Sequence, residues 1–178
     1  MPLPGSGFLA IWNDTTSDGD AEWRHWHTRE HIPERVGVPG FLSGRRYIDP
    51  SRTRERYFTL YAGESVATFS SAAYRARLDN PTPWTLRTAP HFKNFLRGAC
   101  RTLASAGLGV GGEIATLRLD VTDDMRLERS SPDLCRRFIE ATISRGIVGA
   151  HIGRCDTAIT GVPTRERAAR GNLTEPVF

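Results

Sequence analysis

Two histidines, a glutamate and two tryptophans lie near the start of the chain at a spacing that could build a site for chemistry. Trp23, Trp26, His27, Glu30 and His31 occupy positions i, i+3, i+4, i+7 and i+8, which form one face of a helix. The tryptophans favour burial of this face, and the ionisable groups follow them. Because buried ionisable groups are paired, hydrogen-bonded or used, the pattern predicts an enclosed pocket that all five side chains line.

Imidazole in such a pocket is suited to proton transfer without a metal. We expect His31 or His27 to act as the general base, with Glu30 orienting the imidazole and Tyr47 or Tyr61 polarising a carbonyl. The two tryptophans would then contact a small apolar or aromatic molecule. The structural alternative is that the histidines and the glutamate hydrogen-bond one another at the helix end and reach solvent.

His27, Glu30 and His31 also match a zinc-binding pattern, His-x-x-Glu-His, in which histidines at i and i+4 chelate the ion. Pro33 disturbs the helix after His31, and the sequence offers no obvious second acidic helix for a third ligand. We therefore expect no metal. Haem, with His27 or His31 as axial ligand, stays open as an alternative cofactor.

Other candidates are weaker. His91 follows Pro90 at a predicted helix start, where a capping role competes with a substrate contact. Tyr47, Tyr57 and Tyr61 alternate on predicted strands, so a set of them is expected to share one face of a sheet.

The surrounding elements follow the order β-α-β-β-α-β in the first part of the chain. Asp20 is a plausible N-cap of a helix that runs to about Val36, with a kink or an early end near Pro33. The predicted strands are Gly7–Trp12, Phe41–Ile48, Arg56–Tyr61 and Cys100–Leu108. Between the last two strands we expect a helix from Ser65 through Tyr74 and a short helix with His91, Phe92 and Phe95. This order is typical of the ferredoxin-like split βαβ motif, an α+β fold.

A second, abridged copy of the unit is predicted after this one. Glu113–Arg118 resembles the first strand, and Gly146–Ala150 resembles Gly40–Gly44 at the same separation along the chain. We accordingly divide the chain into 1–108, a ferredoxin-like unit with the pocket, and 109–178, a strand-helix-strand unit with a tail. The helix of the second unit, starting near Pro132, has an ordinary apolar packing face.

Composition narrows the classes of protein. The chain has 178 residues, 39% of them hydrophobic and 25% charged, and a net charge of +4 that is almost wholly arginine. Basic residues are scattered, so we expect no nucleic-acid partner, and no apolar stretch approaches a membrane span. No secretory signal is recognisable, which favours a cytoplasmic protein. Cys100, Cys135 and Cys155 fit neither a disulfide framework nor a zinc cluster and are expected to be buried reduced thiols.

The segment Trp23–Pro33, followed by Val38–Phe41 and Arg45–Tyr47, resembles the EthD-like branch of the dimeric α+β barrel superfamily. In that branch a tryptophan-rich first helix ends in His-x-Pro and leads into Pro-Gly-Phe and a strand. His31-Ile32-Pro33 matches the His-x-Pro motif, so the resemblance implies that His31 is the functional histidine. It covers the first hundred residues well and the remainder only through the repeated strand-helix-strand pattern.

This resemblance implies ferredoxin-like units whose sheets pair into a barrel, usually in a homodimer, with a pocket between sheet and helices. Members of the superfamily include cofactor-free oxygenases, dehydratases and cyclases, haem-degrading proteins and proteins without known activity. The chain departs from the pattern because it carries a second unit and has the histidine set in one half only. An enzyme of metal-free histidine chemistry, a non-catalytic binding or accessory protein and a haem protein are therefore the hypotheses.

Overall fold

An antiparallel sheet of five strands with helices packed against it forms the fold of this computed structural model, which describes residues 2–171. The strands are β1 (Gly7–Thr15), β2 (Phe41–Ile48), β3 (Tyr57–Gly63), β4 (Phe92–Gly107) and β5 (Gly149–Cys155). Their order across the sheet is β2-β3-β1-β4-β5, and every neighbouring pair is antiparallel. The α+β class predicted from the sequence is confirmed.

Seven α-helical segments accompany the described part of the sheet. They are α1 (Asp20–Trp26), α2 (Ile32–Val36), α3 (Ala72–Asp79), α4 (Pro83–Thr88), α5 (Asp124–Thr142), α6 (Thr157–Thr160) and α7 (Arg165–Ala169). A π-helical turn, His27–His31, joins α1 to α2, and short 3₁₀ turns lie at Val66–Ser70, Ala89–His91 and Ile143–Arg145. Within residues 2–171, no helix is long and apolar enough to cross a membrane.

The first helical region reaches Val36 as predicted, but it passes Pro33 through a change of helix type. The Ile32 N–H donates to the His27 carbonyl five residues earlier, which is the bond of a π-helix. Pro33 then lies in the first turn of α2, where its missing N–H is tolerated. Asp20 is the first helical residue and not the N-cap, which is Gly19.

The hairpin of β2 and β3 forms as predicted around the turn that follows Ile48. Asp49 Oδ1 accepts hydrogen bonds from the Ser51 N–H at 3.0 Å and the Ser51 hydroxyl at 2.6 Å. Pairing resumes with Ile48 opposite Tyr57. This local side-chain turn fixes the register of the two strands.

The last strand of the first unit is longer than predicted. β4 begins at Phe92 and not near Cys100, so Phe92 and Phe95 lie on a strand and the predicted short helix at this point is wrong. A helix does precede the strand: α4 ends at Thr88, and the 3₁₀ turn that follows it ends at His91. The length of β4 lets it pair with β1 along its first half and with β5 along its second half.

The second part of the chain extends the first sheet through β5. Glu113–Arg118 has no strand, contrary to the sequence-based expectation. This segment instead crosses the sheet, where the Trp12 indole donates to Thr116 Oγ1 at 3.0 Å and the Arg118 guanidinium lies 4.8 Å from the Trp12 ring centroid. Residues 172–178, part of the predicted second unit, lie outside the described residues.

Because successive side chains of a strand point to opposite faces of the sheet, the core is divided between the two faces. Helices pack on one face of the sheet, and two hydrophobic clusters lie between them. The first cluster contains Leu9, Val38, Phe41, Tyr61, Phe69, Tyr74 and Ala99. The second contains Trp23, Trp26, Tyr57, Phe92 and Phe95. The opposite face carries Ala10, Trp12, Phe58 and Leu96, with Phe8, Tyr47 and Leu60 packed on them. The helical face is therefore the one that can position the predicted histidines.

Candidate functional site

The histidines predicted to be buried are buried, in a stack of rings beneath the sheet. Trp23 stacks on His27 with 4.7 Å between ring centroids, and His27 stacks on His31 at 5.2 Å. Trp26 contacts His31 at 4.4 Å. The two imidazoles are only 4% and 6% exposed, and both indoles are fully buried. The π-helical turn brings His27 and His31 onto this face together, and such turns are frequent at functional sites.

Glu30 does not have the role predicted for it. Its Oε1 accepts hydrogen bonds from the Trp26 indole at 3.0 Å and from the Thr82 hydroxyl at 2.6 Å. The carboxylate thus ties the first helical region to the start of α4 and orients an indole. Because the wider π-helical turn shifts the spacing on the helix surface, Glu30 lies beside the buried face and is partly exposed.

Burial keeps both imidazoles neutral at pH 7. Desolvation is the main cause that lowers the pKa of His31 well below 6.5, and the positive charges of Arg35 and Arg170 lower it further. Desolvation likewise lowers the pKa of His27, with added repulsion from His31 and Arg46. A neutral imidazole has a free lone pair, so it can accept a proton from a bound molecule.

His31 opens onto a cavity between the sheet and the C-terminal helices, which we call the His31 cavity. Its volume is about 40 Å³, space for a few water molecules. Its apolar lining is Ile11, Tyr61, Phe69, Tyr74, Leu78, Phe95, Ile159 and Val162, and its polar lining is His31, Arg35, Ser70, Arg75, Arg97, Thr160, Thr164, Glu166, Arg167 and Arg170.

Of the five residues predicted to line one pocket, His31 alone lines this cavity among the described residues. The expectation for Trp23, Trp26, His27 and Glu30 is therefore wrong in its detail. The tryptophans and His27 form the packed wall behind His31, because three large rings fill the space that a pocket would need. They support the orientation of His31 and do not contact the cavity.

Two side chains that line the His31 cavity each carry a buried polar atom without a hydrogen-bond partner among the described residues. Neither His31 Nδ1 nor the Tyr61 hydroxyl has a hydrogen-bond partner within residues 2–171, and Tyr61 is 1% exposed. Desolvation raises the pKa of Tyr61 above its ordinary value, so the phenol stays protonated and able to donate. Because buried polar groups are normally satisfied, a ring nitrogen and a phenol left open on two lining side chains indicate space for a polar ligand.

A buried ion network closes the cavity on the C-terminal side. The Glu166 carboxylate of α7 accepts hydrogen bonds from Arg35 of α2 and from Arg170. Arg35 and Glu166 are each 2% exposed. Desolvation alone would lower the pKa of the Arg35 guanidinium. Its electrostatic interactions with Glu166, Tyr74 and Glu34 have the larger effect, so the pKa is raised above its ordinary value. Both guanidiniums are therefore charged, and the network pins α7 over the cavity.

Tyr47 and His91 lie apart from the cavity. Tyr47 packs on Phe58, with 6.3 Å between ring centroids, on the opposite face of the sheet. His91 Nδ1 lies 2.9 Å from the Thr16 hydroxyl, next to the loop before α1. Neither residue lines the His31 cavity, and the substrate contacts predicted for them stay predictions. Tyr61 does line the cavity, so its position supports the contact predicted for it.

The charged residues of the cavity were missed by sequence reasoning. Arg35 follows His27 and His31 at i+8 and i+4, so extending the helical face by one turn would have included it. Glu166 and Arg170 carry no comparable signal, since an i, i+4 acid-arginine pair is ordinary for an exposed helix. Their burial depends on contacts between the two ends of the chain.

Among residues 2–171, no group of three or more histidine, cysteine, aspartate or glutamate side chains could hold a metal ion. In comparisons with known proteins, no family model, no curated protein and no solved structure matches the chain.

Proposed function

We propose that this chain binds a small molecule in the His31 cavity and acts on it by metal-free acid/base chemistry, with His31 as the base. The observation that carries the proposal is that two residues lining one cavity, His31 and Tyr61, each have a buried polar atom, Nδ1 and the hydroxyl, without a partner among the described residues. The substrate class is a small apolar or aromatic molecule that bears a carbonyl or a phenolic hydroxyl.

His31 takes a proton from a carbon or hydroxyl next to the substrate carbonyl. The negative charge that develops on the oxygen accepts a hydrogen bond from Tyr61, and Arg35 adds a fixed positive charge. His31 then returns the proton to another carbon or to a departing hydroxyl and becomes neutral again. These outcomes correspond to an isomerase, a cyclase or a dehydratase; oxygenase chemistry would add dioxygen to the same anion.

The charges around the cavity select the substrate further. Five arginines and one carboxylate belong to the described lining, which favours an anion in the transition state. Since burial and positive neighbours lower the pKa of His31, the imidazole is a weak base. Proton transfer is efficient when the pKa values match, so the substrate proton must itself be acidic, as in phenols and 1,3-dicarbonyl compounds.

Access requires movement of the C-terminal helices. Cavities that hold small ligands occupy roughly 300–1,000 Å³, far more than the space now open beside His31. α6 and α7 form the wall that can yield, because these helices have only four and five residues. The haem macrocycle does not fit the cavity in this form, so no step is assigned to haem.

We extend the proposal to the EthD-like branch of the dimeric α+β barrel superfamily. In support, β3 lies between β1 and β2, and β1 lies between β3 and β4, the interleaving typical of a split βαβ unit. His31, the histidine of the His31-Ile32-Pro33 motif and the functional residue that the family resemblance implies, lines the cavity. A homodimer and a cytoplasmic location are part of this proposal.

Binding and turnover can be tested with a panel of aromatic carbonyl and phenolic compounds. Binding would be followed by tryptophan fluorescence, since Trp26 contacts His31, and conversion by chromatography of the reaction mixture. We expect His31→Gln to abolish conversion and Tyr61→Phe to reduce it at least tenfold. His91→Gln, a histidine outside the cavity, is the matched control and should leave both signals unchanged.

The outcomes separate the hypotheses. Binding that His31→Gln weakens, without conversion of any compound, would support an accessory protein and refute the acid/base step. Equal binding by the wild type and by both cavity variants would refute the site. A Soret band on titration with haemin, lost in His31→Gln, would support the haem protein instead.

A further inference from the structure

Two cysteines that are distant in the sequence face each other across the sheet. Cys100 on β4 pairs directly with Cys155 on β5. The adjacent pair, Ala99 and Asp156, is joined by a backbone hydrogen bond of 2.7 Å from Asp156 N–H to the Ala99 carbonyl. Because hydrogen-bonded and non-hydrogen-bonded pairs alternate in an antiparallel ladder, Cys100 and Cys155 form a non-hydrogen-bonded pair.

This kind of pair suits a disulfide. Its Cα atoms are about 4.5 Å apart and its side chains point to the same face, and disulfides span Cα distances of roughly 4.4–6.8 Å. Both cysteines are free thiols in the structure, with Cys100 buried and Cys155 partly exposed. The bond therefore needs side-chain rotation and no rearrangement of the strands.

The surroundings of Cys155 favour reactivity. Its Sγ lies 3.2 Å from the Thr160 hydroxyl. A hydrogen bond with Cys100 is the main cause that lowers the pKa of Cys155 to about 6, and Thr160 and the charge of Arg97 lower it further. The same hydrogen bond and desolvation raise the pKa of Cys100. Cys155 thus supplies the thiolate, which is the nucleophilic form, and Cys100 supplies the resolving thiol.

We propose that Cys100 and Cys155 are a redox pair that a peroxide converts reversibly into a disulfide. The Cys155 thiolate attacks one oxygen of hydrogen peroxide, the S–O bond forms, the O–O bond breaks and hydroxide leaves, so that the sulfur is oxidised to a sulfenic acid. The Cys100 sulfur then attacks the Cys155 sulfur, the S–S bond forms and the S–O bond breaks. The departing hydroxyl takes the Cys100 proton and leaves as water.

The pair is connected to the wall of the His31 cavity through Thr160. This residue lines the cavity, its hydroxyl accepts a hydrogen bond from the Ala99 N–H at 3.0 Å, and its carbonyl accepts one from Arg97 at 3.0 Å. The Cys155 Sγ contacts this same hydroxyl, so a bond between Cys155 and Cys100 acts directly on a residue of the cavity wall. The inference concerns the thiols and stands whether or not the cavity is catalytic.

The third cysteine provides an internal control. Cys135 lies on α5, where its Sγ contacts the Ala150 carbonyl at 3.7 Å. Trypsin releases the three cysteines in separate peptides, residues 98–101, 130–136 and 155–165. Treating the full-length protein with equimolar hydrogen peroxide, alkylating the remaining thiols and mapping the digest without reductant therefore identifies every linkage.

We expect peptide 98–101 linked to peptide 155–165, Cys135 alkylated, and full recovery of alkylated peptides after dithiothreitol. In Cys100→Ser, dimedone should label Cys155 as the trapped sulfenic acid, and Cys155→Ser should block both products. Cys135→Ser should form the disulfide as the wild type does. A linkage that includes Cys135, dimedone labelling of Cys100, or no linkage between Cys100 and Cys155 after peroxide treatment would each overturn the proposal.

Discussion

Replacing Glu166 with glutamine tests how the C-terminal helices are held over the His31 cavity. The substitution keeps the shape of the side chain and removes the charge that neutralises Arg35 and Arg170. Those guanidiniums are 2% and 9% exposed, so solvent cannot replace the carboxylate. Breaking a buried ion pair by removing one partner costs about 3–5 kcal/mol.

The expected loss lies at the lower end of that range. Glu34, whose carboxylate is 3.3 Å from the Arg35 guanidinium, keeps part of the compensation. We therefore expect the free energy of unfolding of Glu166→Gln to fall by about 3 kcal/mol. At about 2–4 °C per kcal/mol for a chain of this size, the melting temperature falls by roughly 6–12 °C.

Equilibrium unfolding in urea, followed by tryptophan fluorescence, measures the loss. The matched control is Glu128→Gln, which removes the partner of Arg101 in a pair that is 41% and 49% exposed and should cost about 0–1 kcal/mol. Trypsin digestion near α7 should also be faster in Glu166→Gln than in the control. Equal losses in the two variants would refute the inference that the Glu166 network is buried and stabilising.

The histidines and the open phenol give two more predictions. The folded chain holds the pKa of His27 and His31 well below 6.5, so just below that pH these two residues bind protons only in the unfolded chain. Their stabilising contribution is fully present above pH 6.5, and below it the two residues together lower the free energy of unfolding by up to about 2.7 kcal/mol per pH unit. His151, whose pKa burial also lowers, adds to this slope. Urea titrations from pH 7.5 to 5 should show this slope, and the slope should be smaller in His31→Gln. The control is His25→Gln, whose side chain is exposed and which should keep the wild-type slope. A wild-type slope in His31→Gln would contradict the burial of His31. Tyr61→Phe should leave the free energy of unfolding within about 1 kcal/mol of the wild type, because the hydroxyl has no partner among the described residues. A loss above about 2 kcal/mol would show that the hydroxyl does have a hydrogen-bond partner.

Local patterns in the sequence predicted the elements of the first unit. Helical spacing identified the burial of Trp23, Trp26, His27 and His31, and the turn residues after Ile48 identified the hairpin. These features depend on neighbours within one turn of chain, which the sequence displays directly. The start of β4 was missed because Phe92 and Phe95 are compatible with a short helix as well as with a strand.

The contents of the cavity could not be predicted in the same way. The π-helical turn displaces Glu30 from the imidazoles, and no residue pattern marks it in advance. Glu166 belongs to a segment that resembles an exposed helix, and it becomes buried only because it meets Arg35 from the other end of the chain. Cys100 and Cys155 became neighbours through the pairing of β4 with β5, which spacing alone does not determine.

The Glu166 network also has a consequence for the order in which the chain assembles. Its ion pair with Arg35 joins residues that are 131 positions apart, and contacts of such separation form late because the intervening chain must first be ordered. Strands β1 to β4 and the ring stack beneath them can form from the first unit before α7 docks. In the reverse direction, α7 can undock as a local opening while the strands of the first unit stay paired. Ligand exchange at His31 would then follow the rate of this opening, and hydrogen exchange at the amides of α7 would report that rate.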